Sequence, residues 1–359
     1  MTWAALALIL AAALAGAPLF AVLMAGAMLG FYTADIPLAV VAIEVYRIVD
    51  TPLLVALPLF TYSGYVLAEA KTSERLVNLV QSLFGSLPSG LAMVGFVACA
   101  LFTALTGASG VTIVALGALL LPALAKAGYS DKFALGLVTT SGSLGLLLVP
   151  SVPLILYGIV AQQLEVGEPF TITDLFVAGV MPLLLMLGLL VIWTLWHHRG
   201  GKIPRIPFSG GNVWSALKAA RWELPLPFVV LGGIYSGFLA ISEAAAVTAV
   251  YVTIVEVALY REIPLRKLPK VMIESMVMVG GILLVLGVAL AFTNYLVDAE
   301  VPQALFEFMQ THVQSALGFL LLLNVLLLVL GAMLDIFSAL VIVVPLILPV
   351  AAGYGIHPV

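Results

Sequence analysis

The sequence predicts an all-α polytopic membrane protein organised as an inverted repeat, with two opposed re-entrant helical hairpins and helices broken in mid-span. Three observations lead there. Hydrophobic residues fill 63% of the 359 positions and charged residues 9%, and the mean hydropathy is +1.23, far more apolar surface than a soluble fold of this length can hide. Two apolar segments, one in each half, are interrupted by short strings of small and polar residues. Basic residues gather at Lys71 and Arg75, at Lys126 and Lys132, from Arg199 to Arg221 and from Arg261 to Lys270, which assigns those loops to the cytoplasm.

Taken in order, Met1 to Leu14 lacks the basic leader of a signal sequence and runs into further apolar residues, so it reads as a first membrane helix, with 1–33 forming one span or two. Thr51 to Ala70 then crosses inward. Thr72 to Leu87 sets Leu76, Val77, Leu79, Val80, Leu83 and Phe84 at helical spacing opposite Arg75, Asn78, Gln81 and Ser82, the pattern of a helix lying along the interface. Asn212 to Glu223 and Pro302 to Gln314 are similar polar stretches, and the three read as arms that tether a mobile hairpin domain to a fixed frame.

The first interrupted segment follows. Leu91 to Leu105 and Val111 to Ala125 flank Thr106-Gly107-Ala108-Ser109-Gly110. Each arm is roughly 22 Å long as a helix, short of the roughly 30 Å hydrocarbon core, so neither arm spans alone. Phe133 to Gln162 crosses outward but is interrupted at Ser141-Gly142-Ser143-Leu144-Gly145 and restarts at Pro150-Ser151-Val152-Pro153. Leu175 to Trp196, Leu224 to Leu239, Glu243 to Tyr260 and Val271 to Leu296 complete the crossings. Val313 to Leu330 and Ala339 to Ala352 then flank the string from Gly331 to Ser338, and this second hairpin opens outward.

Non-helical backbone at membrane depth is tolerated only inside protein or around a polar cavity. Brought together, the first tip and the break after it supply carbonyl oxygens for a small hard cation from Gly107, Ala108, Ser109, Gly110, Val111 and Thr112 and from Ser141, Gly142, Ser143 and Gly145. Half-helix N-termini at Val111 and Ser151 suit an anion. Close helix packing is the competing use of such small residues. In the second hairpin, Gly331 and Asp335 are candidates for ion or substrate contact, with capping of a half-helix starting at Ala339 as the other role of Asp335. Asn324 is expected to hydrogen-bond the second break, and Glu243, after Ser242, to cap its helix, both in structural support. Glu256 and Glu274 are expected to reach toward basic loops.

Other classes fare less well. With fourteen basic against eighteen acidic side chains, nothing neutralises a row of phosphates, so no nucleic-acid partner is expected. His197, His198, His312 and His357 read as loop residues, the adjacent pair pointing to opposite sides, and no metal-ligand spacing or nucleophile with a neighbouring base is evident, so no enzyme, metal site or cofactor is expected. The lone Cys99 reads as a packing residue. An ion channel normally repeats one re-entrant loop around an oligomeric pore, and a self-contained anion carrier of the same fold remains as the alternative to a multi-subunit one.

Leu87-Pro88-Ser89-Gly90-Leu91-Ala92, the stretch from Ser143 through Pro150 to Gly158, and above all Gly232-Gly233-Ile234-Tyr235-Ser236-Gly237 followed by Ser242-Glu243-Ala244-Ala245-Ala246 resemble the large membrane subunit of tripartite ATP-independent periplasmic (TRAP) transporters. Asn324, Gly331 and Leu334-Asp335 resemble that family's second hairpin. The resemblance implies the ion-transporter fold of elevator type and sodium-driven import of organic acids such as C4-dicarboxylates or sialic acid across the bacterial inner membrane. It implies a periplasmic solute-binding protein and a small four-helix membrane subunit as partners, and Na+, held by backbone oxygens, as coupling ion. It divides the chain into scaffold helices with a first arm (1–87), first hairpin and broken helix (88–163), scaffold helices with a second arm (164–312) and second hairpin (313–359). Two departures stand out. Leu147-Leu148-Val149 replaces a stretch that usually holds another proline, and the family's second broken span, expected after the second hairpin, is missing before Val359. Residues 1–359 alone are therefore not expected to catalyse coupled transport.

Overall fold

In the computed structural model, which describes residues 2–47, 51–198 and 207–359, every regular element among the described residues is helical. Met1 and the basic residues Arg199, Lys202 and Arg205 of the expected cytoplasmic loop lie outside the described residues. Among the described residues six helices are long and apolar enough to cross a membrane, or up to eight if two bent pairs each count as one span. This is the architecture of a polytopic membrane protein.

The chain divides into two compact units, one of Met1–Leu54, Ile155–Thr171 and Val277–Val359, the other of Val55–Leu154 and Ile172–Met276. Residues of the first begin with α1 (Thr2–Leu14), α2 (Leu19–Thr33) and α3 (Ala39–Arg47). The stretch 1–33 is thus two helices, folded against each other at a turn where Gly16 takes φ +86°. In α2, Gly26 and Gly30 let the rings of Phe292 and Tyr295 lie where side chains would otherwise stand.

The second unit is built around a helical hairpin. A 3-10 turn leads into α4 (Ala56–Glu69), followed by α5 (Thr72–Phe84), α6 (Gly90–Thr106), α7 (Ser109–Lys126) and α8 (Asp131–Leu144). A further 3-10 turn, Gly145–Leu147, and an irregular stretch precede α9 (Val152–Gln163). The chain reverses at Gly107-Ala108: the hydroxyls of Thr103 and Thr112 are 2.8 Å apart, whereas nine residues along one continuous helix would separate them by about 13 Å. Farther down the arms, a β-carbon on Gly95 would lie 3.7 Å from Leu120. The interruption is shorter than the sequence suggests, because Thr106, Ser109, Gly110 and Val111 are all helical and only Gly107 and Ala108 lie outside.

The break in the next helix lies farther along than expected. Ser141, Gly142 and Ser143 stay inside α8, and regular α-helix is lost only from Gly145 to Ser151. Serine tolerates a helix interior when its hydroxyl bonds back to a carbonyl one turn earlier, as Ser141 does to Leu137 (2.6 Å) and Ser143 to Thr140 (2.8 Å). This unit continues with α10 (Ile172–His197), α11 (Gly210–Ala219), α12 (Pro225–Tyr235) and α13 (Ile241–Thr253), the last prolonged by a π-type turn over Ile254–Leu259, before α14 (Leu268–Asp298) begins. The three stretches read as arms are helical, as α5, α11 and α15 (Val301–His312).

In the first unit a second hairpin joins α16 (Ala316–Met333) to α17 (Ile336–Gly353). Phe319 stacks on Tyr354 with ring centroids 4.9 Å apart, and the Tyr354 hydroxyl donates to the Val313 carbonyl (2.6 Å), so the arms run back along each other. The interruption is again short: Gly331 is helical, and the break is Leu334-Asp335. Each hairpin therefore spends two residues on its reversal, and the second arm of each, α7 and α17, is long and apolar enough to cross a membrane, whereas the sequence predicts that neither arm of the first hairpin spans alone.

Three glycines hold the second unit together by close backbone approach. A β-carbon on Gly145 would sit 2.1 Å from the Ala100 carbonyl, one on Gly64 would sit 2.3 Å from the Thr106 carbonyl, and one on Gly107, whose φ is +67°, would meet Val152 at 2.7 Å. Gly64→Val and Gly145→Val should each lower stability by about 1–3 kcal/mol or abolish folding through overpacking, whereas Gly110→Ala, with open space around it, should melt like the parent; thermal melts of purified protein in detergent check this.

Candidate functional site

The tip of the first hairpin brings most of the expected residues together. Thr103 and Thr106 on α6 and Thr112 on α7 are all buried. The Thr103 hydroxyl lies within hydrogen-bond distance of both Thr112 Oγ1 (2.8 Å) and the Gly142 carbonyl (2.9 Å), and Thr106 lies 3.3 Å from Thr112. The Thr112 hydroxyl in turn donates to the Ala108 carbonyl (3.3 Å). These contacts join the two hairpin arms to α8 through hydroxyls alone, which suits a site too deep for water to satisfy backbone groups.

Gly142 is the contact point. A β-carbon there would lie 2.5 Å from Ile113 and 3.5 Å from the Ser109 carbonyl, so α8 meets the first turns of α7 at Gly142, with Ser141 buried beside it and Ser143 exposed. The helix ends differ in how they are finished. The α7 N-terminus begins at Ser109 rather than Val111, and its N-cap, Ala108, offers no side chain to the first amides. The α9 N-terminus is capped: Ser151 Oγ accepts from the Leu154 amide (3.3 Å) and donates to the Leu146 carbonyl. Uncapped amides at a helix start carry partial positive charge. Gly110 and Val111 of that first turn open into a cleft of about 450 Å3 lined also by Tyr65, Glu69, Val271 and Glu274. The two carboxylates do not leave the cleft strongly negative, since Glu69 pairs with Lys267 and Glu274 lies 3.7 Å from Lys270.

The second tip is finished by a carboxylate. Asp335 accepts from the amides of Phe337 (3.0 Å) and Ser338 (3.2 Å) and from the Ser338 hydroxyl, capping a helix that begins at Ile336 rather than Ala339. Asp335 and Ser338 border a cleft of about 310 Å3 together with Gly281 and Ile282 of α14. Gly331 lies a turn earlier, exposed. Asn324 does not reach the break: its amide donates to Leu320 on its own helix (3.0 Å), because nearly three turns of helix separate it from Leu334.

Several smaller expectations are corrected. Glu243 does cap α13, its carboxylate accepting from the Ala240 amide (2.9 Å), but Ala240 rather than Ser242 is the cap residue. Glu256 does not reach for a basic loop; it is buried and pairs with Arg75 of α5. His197 and His312 end helices α10 and α15 instead of lying in loops. The His197 and His198 rings are 5.0 Å apart rather than on opposite sides, packed with Phe133 and, respectively, Trp193 and Tyr129.

Over residues 3–359 the chain matches the family model described as "Tripartite ATP-independent periplasmic transporter, DctM component". The chain belongs to the DctM family of TRAP transporters. It is 34% identical over 337 residues to the C4-dicarboxylate TRAP transporter large permease protein DctM of Rhodobacter capsulatus, covering 92% of this chain and 77% of that protein. Its identity to the Pseudomonas aeruginosa protein of the same name is 32%, over 89% and 73% of the two chains. The ectoine TRAP transporter large permease protein TeaC of Halomonas elongata is 29% identical, over 85% and 70%. As in these relatives, the chain is a multi-pass membrane permease component.

For this DctM-family chain the residues missed at the sequence level are Thr103 and Gly64. Thr103 and Thr106 lie three apart on one face of an apolar arm, with Thr112 four beyond the reversal, a pattern visible once hydroxyls are counted with glycines. Gly64 gave no signal, since only packing reveals that α4 meets the Thr106 carbonyl. Thr103→Val, which removes the hydroxyl's bond to the Gly142 carbonyl in a buried site, should cost about 1 kcal/mol, with Thr103→Ser recovering most of it; comparative melts of the two variants test whether the hydroxyl or the methyl carries the role.

Proposed function

We propose that this chain is the transport-bearing subunit of a Na+-coupled importer of carboxylate-bearing organic acids in the bacterial inner membrane. It would work by elevator-type alternating access with a small four-helix membrane subunit and a periplasmic solute-binding protein. The observation that carries this reading is the convergence of the hairpin tip, with its uncapped helix start, on Gly142 in the neighbouring broken helix. Membership of a tripartite periplasmic transporter family, and relatives named for C4-dicarboxylate and ectoine, support the substrate class and the partners.

In this mechanism the carbonyls around Gly107 to Thr112 and Ser141 to Gly145 hold sodium, with no metal ligand or cofactor beyond it. A cation there draws the tip and α8 into one arrangement, and the amides that start α7 then face a substrate carboxylate. Coupling follows because ordering by the first ligand is work the second need not repeat. The hairpins are re-entrant and oppositely inserted, the first opening to the cytoplasm and the second outward, so that each tip reaches mid-membrane.

Sodium binding is testable on the chain alone. At ten times its dissociation constant sodium should stabilise the fold by about 1.4 kcal/mol, seen as a higher melting temperature in sodium chloride than in choline chloride at equal ionic strength. Gly142→Val, which drives a side chain into Ile113, should remove the sodium-specific increment. Equal melting in the two salts for the parent protein would remove this site from the mechanism.

A further inference from the structure

Among the described residues of the second unit, a dense group of ionisable side chains lies away from the hairpin tip. Arg75, in the first turn of α5, is 11% exposed and projects toward the segment between α11 and α12 and toward the turn that follows α13. Its Nε and Nη2 lie 2.6 and 2.5 Å from Glu223 Oε1, its Nη1 lies 2.5 Å from Glu262 Oε1, and Nη2 lies 3.2 Å from Glu256 Oε2. Glu262 also accepts from the Lys71 amide (2.7 Å). The Glu223 and Glu256 side chains are 1% and 0% exposed. The Tyr260 ring lies under the guanidinium at 4.0 Å, its hydroxyl donating to Ala219, while the Tyr251 hydroxyl donates to Trp222. Of the nearby cations, Lys267 is paired with Glu69, Arg221 lies over Trp222, and Lys71 and Arg261 are exposed, as is Glu74.

One guanidinium therefore faces three carboxyl groups. Burial alone would weaken Arg75's hold on its proton, but the hydrogen bond and charge of Glu223, with Glu256 and Glu262 behind it, raise its proton affinity above the ordinary value, so it is a fixed single cation. The donors do not suffice for three carboxylates. Glu223 Oε2 is buried and has no hydrogen-bond partner among the described residues. The buried Thr72 hydroxyl lies 3.1 Å from Glu223 Oε1 and 3.2 Å from Glu256 Oε1, yet a hydroxyl has one proton to give. With both carboxyls ionised, one of those two contacts would set lone pair against lone pair in a buried site, where unpaired charge is costly. Among the described residues no three acidic, histidine or cysteine side chains are arranged to hold a metal ion, and a proton on one of the two carboxyls would supply the donor that these contacts lack.

We propose that Glu223, Thr72 and Glu256 form a proton-binding site that latches α5 to the turn after α13. Glu256 carries the proton and donates it to Thr72 Oγ1, and Thr72 donates its own to Glu223 Oε1, which Arg75 holds ionised. Proton loss leaves two buried carboxylates on either side of one hydroxyl and loosens α5, the helix that leads into the first hairpin.

The sign of the pH dependence follows from the proton count. A folded chain that keeps a proton which the unfolded chain, with a glutamate of ordinary affinity near pH 4.3, has released loses stability as pH rises above that value. The full chain in detergent, melted from about pH 5 to about pH 8, should show a falling melting temperature. Glu256→Gln, whose amide keeps the donor toward Thr72, should flatten that fall and melt at least as high as the parent at the alkaline end. Glu223→Gln should melt lower throughout, because it removes Arg75's nearest carboxylate. Infrared spectra of the parent at neutral pH should contain a protonated-carboxyl band, sensitive to deuterium exchange, that Glu256→Gln abolishes. No such band in the parent, a band unchanged by Glu256→Gln, or a Glu256→Gln protein melting as low as Glu223→Gln would overturn the assignment.

Discussion

The constraint on which the rest depends is that a helix interrupted inside an apolar environment must find partners for every backbone group it frees. Water is not there to supply them. In this chain the interruptions at Gly107-Ala108 and at Gly145 to Ser151 lie against each other, and the partners are hydroxyls and neighbouring carbonyls: Thr103 on Gly142, Thr112 on Ala108, Ser151 on Leu146. Glycine makes the approach possible, since side chains at positions 64, 107, 142 and 145 would all collide with the groups that now fill the space. The amides at the start of α7 have no side-chain cap, and the proposed attraction of a carboxylate to this tip rests on them.

The two hairpins solve the same geometric problem with different chemistry. The first is uncharged, gripped by three packed elements, and open at its helix start. The second is closed by Asp335, which uses its carboxylate on its own backbone and hydroxyl neighbours. A carboxylate committed to capping is held in place at a helix start, where the dipole favours it. The asymmetry assigns anion attraction to the first tip in the proposed carrier. At the second tip the positive end of the helix is already neutralised.

Much of this was legible in the sequence, and the errors share a cause. Both hairpins and the broken helix between them were visible because small polar residues interrupt long apolar runs, and the family resemblance carried by Gly232 to Gly237 and Ser242 to Ala246 agrees with the match over residues 3–359. Every break was drawn too wide or misplaced. Ser141 and Ser143 look like helix breakers but satisfy their hydroxyls one turn back, and Gly110 and Gly331 continue helices. Sequence reveals which residues permit a break, whereas packing decides where it falls. The charged cluster was missed for a related reason: Arg75, Glu223, Glu256 and Glu262 are scattered over nearly 190 positions, and each alone looks like an ordinary interfacial charge.

The central claim is that each hairpin enters and leaves the bilayer on one side, the first from the cytoplasm and the second from outside. Single cysteines at Leu87 and Lys126, and at Gln314 and His357, placed in a Cys99→Ala background, can be labelled in intact cells and in inverted vesicles with a membrane-impermeant maleimide. The account predicts that Leu87 and Lys126 label only from the cytoplasmic face and Gln314 and His357 only from the outer face. Labelling of the two ends of either hairpin from opposite faces would contradict it.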